Sequence, residues 1–177
     1  MEFNREKFKM LVHYICWQCR QDPSKLGAVK LNKILWIADF EAYRRRGEPI
    51  TGARYVKRQF GPVPGPIMVT LKELEAEGVL VQRESQFHGF KKREFSVLAE
   101  ARPIAFDHDE LTIVDEAINR VCEKHTARSI SEHSHDHIWQ AANDGEPIPY
   151  FTIFAIPGEI AEDELAWAKT ELESVDA

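Results

Sequence analysis

A stretch of twenty residues from Gly47 to Pro66, the Gly/Pro loop, limits the fold more than any other part of the chain, because eight of its residues are glycine or proline. Proline fixes its own φ and pushes the preceding residue towards extended conformations. The run Gly61-Pro62-Val63-Pro64-Gly65-Pro66 therefore excludes regular helix and predicts a stiff loop at the protein surface. A loop whose shape is set before binding loses little entropy when a partner docks on it.

Helices are predicted on both sides of the Gly/Pro loop. Apolar residues at helical spacing predict a first helix over residues 5–21, and a largely apolar run predicts a buried second helix over residues 30–46. Gly47 is expected to end the second helix in the left-handed conformation. A third helix follows the loop and stops at Gly78, after which period-two alternation predicts strands at 79–81 and 95–98 that pair as a hairpin.

The C-terminal part of the chain is predicted to be helical again. Capping-box patterns at Asp107–Glu110 and Ser129–Glu132 predict a fourth helix and a fifth helix, the latter running to Asn143. The short apolar run 150–154 predicts a strand or a docked extended segment, and an acidic helix is expected over 161–173.

These elements predict one α+β domain over residues 1–177, mainly helical with a small antiparallel β-hairpin. The third helix and the hairpin are expected to form a winged-helix-like unit. No low-complexity tract or long linker divides the chain into two domains.

Composition places the chain among ordinary globular proteins, since 44% of its residues are apolar and 29% are charged. No window holds 18 consecutive apolar residues, and the N-terminal residues carry charges of both signs, unlike a signal peptide. Three cysteines, an odd number, fit a reducing compartment. We therefore predict a cytoplasmic protein that does not bind membranes.

Charge is distributed unevenly, which bears on nucleic-acid binding. Residues 1–100 carry 18 Lys and Arg against 12 Asp and Glu, whereas residues 101–177 carry 5 against 17. The basic hairpin residues His88, Lys91, Lys92 and Arg93 favour a winged-helix transcriptional regulator as an alternative function. Against it, the third helix presents glutamates where a major-groove reader needs Arg, Lys, Asn or Gln, so nucleic-acid binding is predicted to be weak or absent.

Two short clusters have spacings that are found in metal or redox sites. Cys16 and Cys19 have CxxC spacing, but both lie on the apolar stripe of the first helix and are predicted to be buried structural cysteines. His133 and His137 would share a helix face, with Asp136 or His125 as a third ligand, and this cluster favours a metal-dependent hydrolase as a second alternative. A closed zinc site needs four ligands and a catalytic one three, so we predict no metal. The chain also has no GxGxxG, P-loop or GxSxG motif, and we predict no cofactor and no catalytic residue.

Two longer blocks of sequence carry a resemblance to a known family. The first comprises Lys30–Phe40, Tyr43, Gly47–Tyr55 and Phe60–Pro64. The second comprises Ser131–His135, Trp139 and Gly145–Tyr150. In order and spacing these blocks, which lie within residues 28–150, resemble the SocA-like Panacea antitoxin family.

The resemblance implies a stand-alone antitoxin of a bacterial or phage toxin–antitoxin pair, which binds its toxin protein without catalysis. It also implies that a Clp-type protease is a further candidate partner, since one relative acts as an adaptor that delivers its toxin for degradation. The expected partner-binding residues are Asp39, Tyr43, Tyr55, Phe60, Pro62, Pro64, Ser134, His135 and Trp139.

The residues themselves add expectations about this surface. Tyr55 and Phe60, on the Gly/Pro loop, are expected to be exposed, and exposed aromatic residues are typical of binding hot spots. Trp139 is either such a hot spot or an anchor of the fifth helix in the core. Asp39 and Asn32, on a largely apolar helix, are expected to brace the loop if they are buried.

Overall fold

The computed structural model describes residues 1–87 and 90–155, and most of its regular structure is helical. The helices are α1 (Arg5–Gln18), α2 (Ala28–Arg46), α3 (Ile67–Ala76), α4 (His108–Lys124), α5 (Ala127–His133) and α6 (His137–Ala141). The strands are β1 (Tyr55–Val56), β2 (Val63–Pro64), β3 (Leu80–Phe87), β4 (Phe90–Val97) and β5 (Pro147–Ile148), and short 3-10 turns lie at Pro23–Lys25 and Tyr150–Ala155. This architecture confirms the predicted α+β, mainly helical fold.

Helix α2 is the centre of the fold, as its apolar sequence predicts. It packs against α1, α4, α5 and the second 3-10 turn, and its side chains Ile34, Leu35 and Ala38 are fully buried. The helix ends at Gly47, whose φ of 78° is left-handed and whose N–H donates to the carbonyl of Tyr43, as predicted. Within the described residues, no helix has the length and apolar character that a membrane crossing requires.

The Gly/Pro loop is more ordered and less exposed than the sequence predicts. Its two-residue strands β1 and β2 pair antiparallel, and β5 adds on the other side of β1, so that Tyr55 lies opposite both Pro64 and Ile148. Proline is tolerated in β2 because β2 is an edge strand, where a missing N–H removes no ladder hydrogen bond. The expectation of a wholly surface loop is therefore wrong for Gly61, Pro62 and Pro64, which are buried.

The hairpin of β3 and β4 follows α3, which confirms the winged-helix-like unit, but its strands are longer than predicted. Leu80 pairs with Val97 at the base, and the ladder continues out to residues 87 and 90. In the outer half, residues 84–86 and 91–93 are all polar, so this part lacks the alternation that marked the base as a strand. His88, a candidate phosphate contact, lies outside the described residues.

The predicted fifth helix is wrong, because the chain forms two short helices that are separated at residues 134–136. Thr126, not Ser129, caps α5, since its hydroxyl accepts the Ser129 N–H at 3.0 Å. Asp136 caps α6 by accepting the Trp139 N–H at 2.8 Å. By contrast, the capping box of α4 is confirmed, with Asp107 and Glu110 bonded to each other's backbone N–H.

Outcomes differ for the C-terminal segments and for the CxxC cysteines. Residues 150–155 form a 3-10 turn and not a strand, and the acidic helix expected over 161–173 lies outside the described residues. Cys16 is buried as predicted, whereas Cys19 is only half-buried, because it follows the last residue of α1 as its C-cap.

Candidate functional site

The carboxylate of Asp39 fixes the start of the Gly/Pro loop to α2. Asp39 is fully buried, and its oxygens accept the Thr51 N–H at 2.7 Å and the Thr51 hydroxyl at 2.6 Å. The Tyr55 hydroxyl lies 2.8 Å from the same carboxylate and 2.8 Å from the carbonyl of Leu35. Asp39 therefore braces the loop, as predicted, whereas the Oδ1 atom of Asn32 is buried with no hydrogen-bond partner among the described residues.

Burial controls the protonation of this group of side chains. It raises the pKa of the Asp39 carboxyl, while the hydrogen bonds from Thr51 and the tyrosine hydroxyls act in the opposite direction. The pKa of Tyr55 is raised well above its ordinary value, first by burial and then by the nearby Asp39 charge. Tyr55 and Tyr150, which both face Asp39, are protonated at neutral pH even at the ordinary tyrosine pKa of about 10, and their raised pKa values keep them hydrogen-bond donors at higher pH as well.

Aromatic rings pack around Phe40 beneath the loop. The Phe40 ring lies 5.6 Å from that of Tyr55 and 4.8 Å from that of Tyr150. The Tyr150 hydroxyl donates to the carbonyl of Ala53 at 2.6 Å, which ties the 3-10 turn to the loop. The expectation that Tyr55 is exposed is wrong, since its ring fills the core at 1% exposure.

A buried lysine, Lys33, holds the middle of the loop. Its side chain is 1% exposed, and its Nζ donates to the carbonyl of Pro62 at 3.3 Å. Burial lowers the pKa of this amine to about 7. Lys33 is not among the residues predicted to bind a partner, although a lysine on a buried face of a largely apolar helix is a signal that could have identified it.

Gly61 makes this close approach of loop, α2 and α5 geometrically feasible. Its φ is +98°, and a Cβ built there would lie 2.2 Å from Lys33 Nζ and 2.3 Å from Ser134 Oγ. Ser134 is itself buried, and its hydroxyl donates to the carbonyl of Ser131 at 2.8 Å. Only glycine accommodates both the left-handed backbone and the contact.

His135 and Trp139 connect the break between α5 and α6 to the same loop. Their rings stack with centroids 3.7 Å apart and planes inclined by 8°, and the Trp139 Nε1–H donates to the carbonyl of Arg58 at 3.2 Å. Lys57 Nζ lies 4.1 Å from the Trp139 ring and donates to the carbonyl of Ala142 at 2.8 Å. Burial, followed by the charges of Lys33 and Lys57, lowers the pKa of His135, so this ring is neutral at pH 7.

Phe60 projects from the tight turn Arg58–Gly61, the Phe60 turn, at 55% exposure. The backbone N–H of Gly61 donates to the carbonyl of Arg58 at 2.8 Å, and the reciprocal bond measures 3.3 Å. Lys33 and Trp139 hold the two ends of this turn from either side. The turn therefore presents an exposed aromatic ring on a fixed backbone.

The nine predicted partner-binding residues thus fall into two groups. Five are buried supports of the loop: Asp39, Tyr55, Pro62, Pro64 and Ser134. Four reach solvent in part or largely: Tyr43, Phe60, His135 and Trp139. Trp139 is half-exposed and fastens α6 to the loop, so it is not an anchor buried in the core, and its role as a binding hot spot stays a prediction.

A second apolar surface, the apolar groove, was not found from the sequence. It is a shallow depression of about 330 Å³, and its lining includes Met1, Tyr43, Arg54, Ile148, Tyr150 and Phe151. Phe151 is 64% exposed, and the ring of Phe154 packs against that of Tyr43 with their centroids 5.8 Å apart. Since these side chains come together only through the pairing of β1 with β5, local sequence patterns gave no signal for the groove.

In the histidine cluster, His133 contacts Arg120 and His125. His133 Nε2 lies 2.8 Å from the guanidinium of Arg120, a cation, and its ring is 5.5 Å from that of His125. Among the described residues, which do not include the side chain of His137, no group of three or more His, Cys, Asp or Glu could hold a metal ion.

Several charged residues of the winged-helix-like unit also contact the rest of the protein. On α3, Glu73 pairs with Arg5, and Glu75 accepts two hydrogen bonds from Gln82. On β4, Lys92 pairs with Glu94 at 3.1 Å and donates to the carbonyl of Ser24. These contacts hold α3 against α1 and the hairpin against α3 and the first 3-10 turn, and the pairing of Lys92 reduces the positive charge that is available to a nucleic-acid backbone.

Comparison of the chain with curated proteins and with solved structures finds no significant match. A family model described as "Antitoxin SocA-like, Panacea domain" matches residues 31–140. The matched segment covers more than half of the chain and contains the Gly/Pro loop together with Ser134, His135 and Trp139. The chain therefore belongs to the SocA-like antitoxin family that is defined by the Panacea domain.

Proposed function

We propose that this protein is the antitoxin of a bacterial or phage toxin–antitoxin pair and that it neutralises a toxin protein by direct binding. Family membership supports an antitoxin role. The observation that carries the binding mode is the Phe60 turn, where an exposed aromatic side chain is held on a backbone fixed by Lys33, Gly61 and Trp139. A preorganised surface of this kind binds with little loss of entropy.

The toxin-facing surface in this proposal is the Phe60 turn with the half-exposed rings of His135 and Trp139 beside it. Its buried partners have a supporting role: Asp39 and Ser134 keep the backbone in place but do not reach the toxin. The aromatic side chains supply apolar contact area, and Arg58, whose side chain is 53% exposed and pairs with Asp144, supplies a charge at the rim.

Co-expression with the neighbouring reading frame tests the function itself. We expect the neighbouring frame to arrest growth when it is expressed alone, and we expect this chain to restore growth and to co-purify with its product. A neighbour that is harmless alone, or a pair that does not associate, would contradict the antitoxin proposal.

Two matched alanine variants test the location of the surface. Phe60→Ala is expected to weaken toxin binding about 30-fold, which corresponds to about 2 kcal/mol, while the thermal midpoint changes little. Phe151→Ala removes a phenylalanine of similar exposure, 64% against 55% for Phe60, from the apolar groove and is expected to leave affinity unchanged. If Phe151→Ala weakens binding and Phe60→Ala does not, the antitoxin function stands but the toxin-facing surface is the groove.

The fate of the bound toxin separates blocking from delivery to a protease. In the blocking mode the toxin keeps its half-life when the antitoxin is co-expressed, and the purified pair remains inactive without any protease. A toxin half-life that shortens only in cells that contain a Clp-type protease would assign the adaptor mode.

A further inference from the structure

The CxxC cysteines do not face each other, but one of them faces a cysteine that is distant in the sequence. Cys19 Sγ lies 3.9 Å from Cys122 Sγ, and 103 residues separate the two positions. Cys16 is buried on the side of α1 that faces the hydrophobic core, whereas Cys19 and Cys122 are both half-buried. Neither cysteine lies in the Phe60 turn or among the residues that support it.

Both cysteines lie at the ends of helices. Cys19 is the C-cap of α1, outside the regular helix, and Cys122 lies in the last turn of α4. A disulfide needs an S–S distance of about 2.05 Å, so the sulfurs must close a gap of roughly 1.9 Å. Side-chain rotation at two helix ends, which are the least constrained parts of a helix, supplies movement of this size.

The surroundings make the two thiols chemically unequal. Lys30 is largely buried beside them, and its Nζ donates to the backbone carbonyl of Cys122 at 3.3 Å. The contact with the Cys19 sulfur and then, against desolvation, the Lys30 charge lower the pKa of Cys122. The thiolate is placed on Cys122 because Lys30, the cation beside the pair, is hydrogen-bonded to the carbonyl of this residue. Cys122 thus takes the role of nucleophile and Cys19 that of resolving thiol.

We infer that Cys19 and Cys122 form a redox modification site, at which a hydroperoxide converts the dithiol into an intramolecular disulfide that joins α1 to α4. The Cys122 thiolate attacks one peroxide oxygen and breaks the O–O bond, which gives a Cys122 sulfenic acid and, after protonation of the leaving oxygen, water from hydrogen peroxide or an alcohol from an organic hydroperoxide. The Cys19 sulfur then attacks the sulfenic sulfur, and the hydroxyl leaves with the Cys19 proton as water. One hydrogen peroxide is reduced for each disulfide that forms.

Hydrogen peroxide is the probe that tests this site, applied to the folded full-length chain after removal of reductant. We expect one equivalent to lower the thiol count from three to one, and a non-reducing digest to link the peptides of Cys19 and Cys122. Because α1 and α4 both pack against α2, the bond closes a long loop around the core. The oxidised protein is therefore expected to unfold about 5 °C or more above the reduced protein.

Three variants separate this site from nonspecific oxidation. Cys16→Ala keeps the pair and is expected to form the same disulfide. Cys122→Ser is expected to react about ten-fold or more slowly, and Cys19→Ser to accumulate a sulfenic acid that dimedone traps. Three free thiols after peroxide treatment, a bond that includes Cys16, a bond between two chains, or an oxidised form that unfolds below the reduced form would each overturn the inference.

Discussion

Asp39 lies where α2 meets the Gly/Pro loop, and the loop depends on its buried carboxylate. Asp39→Ala leaves the Thr51 N–H and hydroxyl without their acceptor and is expected to lower the free energy of unfolding by about 3 kcal/mol or more. Asp39→Asn is expected to lower it by only about 1 kcal/mol, because one amide oxygen remains and the Tyr55 hydroxyl can donate to Leu35. Urea denaturation measures both values.

Asp144 provides the control for this comparison. Its carboxylate is exposed and pairs with Arg58, so Asp144→Ala is expected to change stability by less than about 0.5 kcal/mol. If Asp39→Asn and Asp39→Ala lower the free energy of unfolding equally, the remaining amide oxygen and the Tyr55–Leu35 hydrogen bond do not compensate for the lost carboxylate.

Lys33 gives the fold a predicted dependence on pH. Its pKa is about 7 in the folded protein and about 10.5 in the unfolded chain, so between these values the unfolded state binds more protons. Stability therefore rises as the pH increases from 7 to 9, by at most about 1.4 kcal/mol per pH unit from this group. The Lys33→Met variant is expected to lack this rise when unfolding is measured at pH 7, 8 and 9.

A surface lysine distinguishes this effect from titration elsewhere in the chain. Lys25 pairs with Glu123 at the surface, and Lys25→Met is expected to keep the wild-type slope between pH 7 and 9. His135 adds only a small rise near pH 7, because a histidine in the unfolded chain, with a pKa of about 6.5, is already mostly neutral there. If Lys33→Met has the same slope as the wild type, the buried amine does not titrate as described.

At the scale of elements, two left-handed glycines of the Gly/Pro loop, one at its start and one in the Phe60 turn, have different surroundings. Gly47 and Gly61 have φ of 78° and 98°, yet a Cβ on Gly47 meets nothing within 4 Å, whereas one on Gly61 meets Lys33 and Ser134. Gly47→Ala is expected to cost about 1 kcal/mol of stability, the backbone strain alone. Gly61→Ala is expected to cost roughly 3 kcal/mol, because overpacking adds to that strain.

Toxin neutralisation by the same two variants shows whether docking of the loop matters for function. Under conditions where both variants are folded, Gly61→Ala is expected to lose neutralisation and Gly47→Ala to keep it. Equal neutralisation by the two folded variants would mean that the docked position of the Phe60 turn does not determine binding.

Helix ends that are encoded by nearby residues could be predicted from the sequence, whereas those that are fixed by distant contacts could not. The stop of α2 at Gly47 and the capping box of α4 are encoded within a few residues. The break after α5 is different: Ser134 lies against Gly61, and Trp139 bonds to the carbonyl of Arg58, two contacts across more than 70 residues of chain. A helix-periodic pattern contains no information about such contacts.

For the whole molecule, the candidate site too could be predicted only in part from the sequence. The residue types of the Gly/Pro loop predicted a stiff, preorganised segment, and the resemblance located the segments that meet there. The burial of Tyr55 and the role of Lys33 could not be predicted, because both depend on how α2 lies beneath the loop. The cysteine pair also required the fold, which brings α4 beside the end of α1.

The charge of the whole molecule leads to the last prediction, which concerns duplex DNA. The chain has a net charge of −6, and Lys92 of the hairpin is paired with Glu94. We expect binding to duplex DNA that is weaker than about 1 μM at 150 mM salt and that falls further as salt increases, as measured by fluorescence anisotropy.

A charge-reversal variant shows whether any residual affinity comes from the hairpin. The side chain of Lys91 is 83% exposed, so Lys91→Glu removes the most accessible hairpin charge among the described lysines of β4 without disturbing the core. If binding is nonspecific, this variant reduces it modestly and equally for all sequences, because a phosphate contact carries no sequence information. Nanomolar binding at 150 mM salt that selects one sequence and that Lys91→Glu abolishes would instead assign the protein to the winged-helix regulators.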